Sequence, residues 1–114
     1  MVPTGARRIL DLCGGNGELA EHLARTFPKS EVALSDLSPG MVRNSQRRLF
    51  RYRNARVMQG NWVDPLRQQK FDCIVVKNSI HVLLRPEAKL LRLRDVLSPQ
   101  GSIIICETVA PAAI

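Results

Sequence analysis

The chain has 114 residues, with 17 Lys and Arg against 10 Asp and Glu, a formal net charge of +7, and hydrophobic and charged fractions of 45% and 24%. These are the proportions of one small globular domain and exclude a disordered chain. No apolar run reaches the roughly 18 residues of a membrane helix, and the charges near the start (Arg7, Arg8) are followed by no signal-peptide core.

The predicted elements alternate along the chain. Residues 8–13 (RILDLC) read as a strand ended by Gly14 and Gly15. Leu19, Leu23 and Phe27, flanked by Ala20 and Ala24, predict a helix after Gly17. Residues 31–36 (EVALSD) form a second strand. Ser38-Pro39 has the form of an N-cap with proline at the first helical position, opening a helix through about Phe50. Residues 55–59 are a third strand, 60–70 a loop with one short turn, and 71–76 (FDCIVV) a fourth strand. Pro86 opens a helix with Leu90, Leu93 and Leu97 on one face, closed by Ser98-Pro99-Gln100-Gly101, and 102–107 (SIIICE) is a fifth strand. The first, fourth and fifth are nearly unbroken apolar runs, as strands covered on both faces should be. The whole implies an α/β domain, a parallel sheet wrapped by helices through right-handed crossovers.

Cys13, Cys73 and Cys106 are widely spaced, odd in number and free of any C-x-x-C or Cys/His cluster. They predict no metal site and no disulfide framework, but three core thiols in a reducing, cytoplasmic compartment.

Asp11-Leu12-Cys13-Gly14-Gly15-Asn16-Gly17 joins the first strand to the first helix, where glycines let a ligand approach backbone N–H groups. Asp36 ends the next strand, 19 residues beyond Gly17, placed to accept from ribose hydroxyls. Gly15-x-Gly17-x-x-Ala20 also satisfies the loose dinucleotide fingerprint, so a nicotinamide-dependent oxidoreductase is one reading. Asp11 speaks for another: an anionic pyrophosphate gains nothing from a strand-end carboxylate, whereas a ligand with a cationic amino-acid end does.

Residues Ile9 to Gly17 resemble the first motif of class I S-adenosylmethionine-dependent methyltransferases, in the D-x-G-G-G-x-G form of small-molecule O-methyltransferases, with Cys13 in place of the first glycine. Further motifs follow in order. Ser35-Asp36-Leu37-Ser38-Pro39 resembles the second, and Gly60-Asn61-Trp62-Val63-Asp64-Pro65-Leu66 the G-D-aromatic-x-D-P-L segment. Phe71 to Asn78 resembles the fourth, and Val96-Leu97-Ser98-Pro99-Gln100-Gly101 the turn before the fifth strand.

The resemblance implies a Rossmann-like open sheet of order 3-2-1-4-5, a methyltransferase core lacking the last two strands. It also implies a single domain over 1–114 that is either part of a longer protein or reliant on self-association or a partner chain to cover its fifth strand. The implied cofactor is S-adenosylmethionine. Asp11, Cys13, Gly15 and Gly17 would meet its methionine end, Asp36 and Leu37 the ribose side, Asn61 and Trp62 the adenine, and Lys77 would approach from the fourth strand. Asn61 stands where the family usually has aspartate, leaving an amide oxygen, or Asp64, to accept from the adenine amine. His81 aligns with the general base of plant-type O-methyltransferases, although the aspartate that follows it there is Val82 here. The implied activity is O-methyl transfer to a small molecule; a cofactor-binding module without activity of its own is the alternative, and a nucleic-acid acceptor is a further one.

Arg43, Arg47, Arg48, Arg51, Arg53 and Arg56 fall within 14 residues that contain no acid. They form either a solvated helix face or a contact surface for nucleic acid, with Tyr52 as the aromatic available for base stacking.

Overall fold

The computed structural model describes residues 5–77 and 86–106. The strands are β1 (Arg8–Leu12), β2 (Glu31–Asp36), β3 (Ala55–Gln59), β4 (Phe71–Lys77) and β5 (Leu97–Cys106), and the helices α1 (Glu18–Thr26), α2 (Pro39–Leu49) and α3 (Pro86–Arg92). Asp64–Leu66 and Leu93–Val96 are single 3-10 turns. All five strands are parallel, in the expected order β3-β2-β1-β4-β5. None of the described helices is long and apolar enough to cross a membrane.

Alternation along each strand divides the core between two layers. Ile9, Val32, Leu34, Cys73 and Val75 face α1 and α2, where they meet Ala20, Leu23, Ala24 and Leu49. Leu10, Leu12, Ile74 and Val76 face the other way, against Trp62, Leu66, Leu93 and Val96. Helix α1 begins at Gly17 with no side-chain cap. Helix α2 is capped as the sequence predicts: Ser38 Oγ accepts from the Met41 N–H at 3.3 Å and Pro39 occupies the first turn.

Asp72 joins three strands at their amino-terminal ends. Its carboxylate accepts from the backbone N–H groups of Arg7 and Arg8, each at 2.9 Å, and from the Ser98 hydroxyl. Burial alone would raise the Asp72 pKa; these donors outweigh it and hold the group below the ordinary carboxylate range.

The end of the chain departs from the sequence reading. Helix α3 stops at Arg92, Leu93–Val96 tighten into a 3-10 turn, and Leu97 already belongs to β5, paired with Phe71. The next aligned pair is Cys73 with Ser102, so residues 98–101 bulge opposite Asp72. Pro99 has no N–H for a ladder, and a Cβ on Gly101 would stand 2.5 Å from Leu97 Cδ1. The segment expected to close a helix is thus an irregularity inside a strand.

β5 is not covered on both faces. Ile103 and Ile105 are 37% and 47% exposed, while Ile104 packs against the core. Nor do the thiols share one environment: Cys73 is buried, Cys13 half-buried and Cys106 exposed.

Candidate functional site

The carboxyl ends of β1, β2, β3 and β4, with the loops that follow β1, β2 and β3, hold the sequence-predicted residues among those described. On β1, Asp11 lies in register with Leu34 of β2 and Val75 of β4, between apolar neighbours, and is 1% exposed. Its Oδ2 has no hydrogen-bond partner. Desolvation raises its pKa to about 7, with Asp36 adding to the rise, while the Lys77 charge and the Ala20 backbone N–H pull against it. A buried carboxylate with one unmatched oxygen is costly unless a donor arrives.

The loop that follows is built to approach closely. Cys13, Gly15 and Gly17 all have positive φ, at 60°, 60° and 84°. At Cys13, the residue in place of the family glycine, this left-handed conformation costs about 1–2 kcal/mol. A Cβ on Gly14 would meet Leu34 Cγ at 2.5 Å and Asp11 Oδ2 at 2.8 Å, so only glycine fits there.

Asp36 holds this loop in place. Its Oδ2 accepts from Gly15 N–H and its Oδ1 from Ser38 N–H, both at 2.9 Å. Each oxygen keeps a second lone pair for a ligand hydroxyl.

Ser45 is a site residue that the sequence reading missed. It is fully buried, its hydroxyl donates to the Gly15 carbonyl, and it packs beneath Gly17, where a Cβ added by substitution would stand 3.2 Å from Ser45 Oγ. The signal was present: Val42, Ser45 and Leu49 share the helical spacing of a buried stripe, and a polar residue within such a stripe needs a partner.

Two recesses meet at Cys13. One, of about 240 Å³, is bounded by Asp11, Cys13, Gly15, Glu18 and Lys77. The other, of about 90 Å³, lies among Leu12, Asp36, Leu37, Asn61, Trp62 and Lys89. Asp11, Cys13, Gly15 and Lys77 are therefore gathered on one side, and Asp36, Leu37, Asn61 and Trp62 on the other. Gly17 sits at the foot of α1 as its N-cap.

Trp62 does not present a free aromatic face. It is 4% exposed, with φ of 53°, and its indole N–H donates to the Lys89 carbonyl at 2.8 Å. The Lys89 ammonium lies 5.9 Å from the ring centroid and donates to Asn61 Oδ1 at 3.5 Å. Asp64 is turned to Arg92, with Arg92 Nη2 to Asp64 Oδ1 at 2.7 Å, and is not in this recess. Lys89 had no sequence signal, because its contact to the 61–64 loop is made across 28 positions. His81 lies outside the described residues.

A family model described as a methyltransferase domain matches residues 9–101. The chain is 30% identical to a demethylmenaquinone methyltransferase of Clavibacter sepedonicus over 112 residues, 97% of this chain and 45% of that protein. It is also 30% identical to the ubiquinone/menaquinone biosynthesis C-methyltransferase UbiE of Coxiella burnetii, covering 92% of this chain and 44% of the relative. The chain thus spans less than half the length of these relatives.

Among solved structures, coclaurine N-methyltransferase superposes with a TM-score of 0.82 at 20% identity, over 91% of this chain and 31% of that one. A TehB-like SAM-dependent methyltransferase from Corynebacterium glutamicum gives 0.75 at 28% identity, over 92% and 56%. With the family model spanning the sheet from β1 into β5 and the same fold recurring in these structures, the chain belongs to the methyltransferase domain family.

Proposed function

We propose that this chain is the cofactor-binding core of an S-adenosylmethionine-dependent methyltransferase acting on a small organic acceptor. The observation that carries the reading is Asp11: a buried carboxylate whose Oδ2 lacks a partner, set beside a glycine loop. An ammonium group on the ligand would satisfy that oxygen; a pyrophosphate would be repelled by it. The residues present therefore fit this cofactor and argue against a nicotinamide dinucleotide.

In this reading the zwitterionic methionine end lies in the Asp11 recess, with its carboxylate toward the backbone N–H groups at the start of α1. Asp36 accepts from the ribose hydroxyls on its free lone pairs, and Leu37, which is 65% exposed, packs against the nucleoside. Asn61 accepts from the adenine amine beside Trp62. When bound, the cofactor supplies a methyl group on a sulfonium, open to in-line displacement. The protein's own work is orientation and exclusion of water. His81 is the residue we assign to take a proton from the acceptor.

The acceptor atom expected from the motif form is oxygen. The relatives' names favour carbon instead: the UbiE relative is called a C-methyltransferase of ubiquinone and menaquinone biosynthesis. We take carbon as the better-supported acceptor.

Calorimetric titration of S-adenosylmethionine and NAD in parallel tests the cofactor reading. The expected result is binding of the first and a flat trace for the second; tighter NAD binding overturns it. Binding without transfer of a labelled methyl group to any quinone or phenol would leave the alternative, a binding module that depends on a partner for activity.

A further inference from the structure

Among the described residues, two of the six arginines in the acid-free stretch are held in ion pairs, and Arg51 lies 5.8 Å from the Tyr52 ring centroid. Arg48 reaches Glu21 and the Asn16 carbonyl, and Arg56, on β3, pairs with Glu31. Arg43, Arg47 and Arg51 remain as an exposed i, i+4, i+8 row along and just beyond α2.

The ring beside that row is Phe50, not Tyr52. Tyr52 is half-buried with its hydroxyl on Glu21, whereas Phe50 is 90% exposed. Phe50 is also the shared wall of two recesses. One, of about 840 Å³, is an open groove between α1 and α2 lined by Asn16, Asn44, Arg47 and Arg51. The other, of about 450 Å³, is lined by Arg43, Gln46 and Arg47. The acid in the first groove, Glu21, is held ionised by the Tyr52 hydroxyl and Arg48, so its charge is already matched by an arginine.

We propose that this arginine row and the Phe50 ring form a docking surface for single-stranded nucleic acid. Phosphates meet the guanidinium groups of Arg43, Arg47 and Arg51, and unpaired bases stack on Phe50 within the recesses to either side. Charge selects a polyanion. The aromatic ring, exposed between cations, selects one whose planar groups are accessible, which a duplex does not offer. A bilayer fits less well. The apolar side of α2 (Val42, Leu49) is buried in the core, leaving Phe50 and the partly exposed Met41 to insert, and a flat surface does not enter a groove. This surface is separate from the cofactor reading and stands or falls without it.

Fluorescence anisotropy of a labelled oligouridylate with the full chain tests the proposal, beside vesicles containing phosphatidylglycerol. Binding is expected to weaken steeply with salt, with a log–log slope near −2 for three phosphate contacts at about −0.7 each. Phe50→Ala should weaken it by about tenfold, and Arg47→Gln with Arg51→Gln should flatten the salt slope. Both sites are exposed, so circular dichroism should be unchanged. A charge-matched control, Arg67→Gln with Arg94→Gln, should bind as the parent does. Equal loss in both arginine pairs would reduce the effect to net charge and overturn the proposal. So would indifference to Phe50→Ala, or binding to vesicles without binding to the oligonucleotide.

Discussion

A carboxylate held between Leu34 and Val75 loses water without gaining a partner for one of its oxygens, and this desolvation disfavours its charged form. Folding raises the Asp11 pKa from its ordinary 3.8 to about 7, so between those values the folded chain holds a proton that the unfolded chain has released. The stability Asp11 contributes is complete below the lower value, declines as pH rises to the upper one, and is a constant penalty above it. Asp11→Asn should therefore melt higher than the parent at pH 8 and close to it at pH 4. A lower melting temperature at pH 8 would mean that the carboxylate is satisfied in the fold. The same residue shapes ligand affinity. Binding of S-adenosylmethionine should strengthen as pH rises through about 7, then weaken as the ligand's own amino group loses its proton near about 8. Calorimetry across pH should show the acidic limb disappear in Asp11→Asn. Asp11 was legible because a charge inside an apolar run stands out. Ser45 needed the fold, since its partner, the Gly15 carbonyl, lies 30 positions away.

At the scale of elements, the first four strands and two helices were legible because each carries its own periodicity and its own stop signal. Ser38-Pro39 opens α2 and Gly14-Gly15 close β1 whatever surrounds them. The α3–β5 junction was not legible. Leu90, Leu93 and Leu97 satisfy helical spacing, but Leu97 is drawn into the sheet by pairing with Phe71, a contact that local sequence does not encode. Asp72 fixes this corner by joining the start of β1 to the bulge in β5. Asp72→Ala should lose about 1–2 kcal/mol at neutral pH, measured by urea unfolding. Because the folded-state pKa of Asp72 is depressed, its contribution is present above the ordinary carboxylate pKa and is lost as pH falls through the depressed value. The gap between variant and parent should therefore close in acid. A gap that persists there would assign the loss to packing.

For the molecule as a whole, the sheet order and the two sides of the site were readable from motif order, because parallel α/β topology brings consecutive strand ends together. What the motifs could not show is how surfaces are finished. β5 leaves Ile103 and Ile105 in water at one edge of the described sheet. We expect the isolated domain to self-associate through this edge in sedimentation velocity, and Ile105→Lys to shift it toward monomer. A parent that stays monomeric at high concentration would rule this edge out as a contact. The chain's single tryptophan, Trp62, is locked to the Lys89 carbonyl at the wall between the 61–64 loop and α3. Its emission is thus an intrinsic optical reporter of that wall. A spectral change on adding a nucleoside would come from the Asn61–Lys89 side alone, with no label introduced and no competing indole elsewhere in the chain.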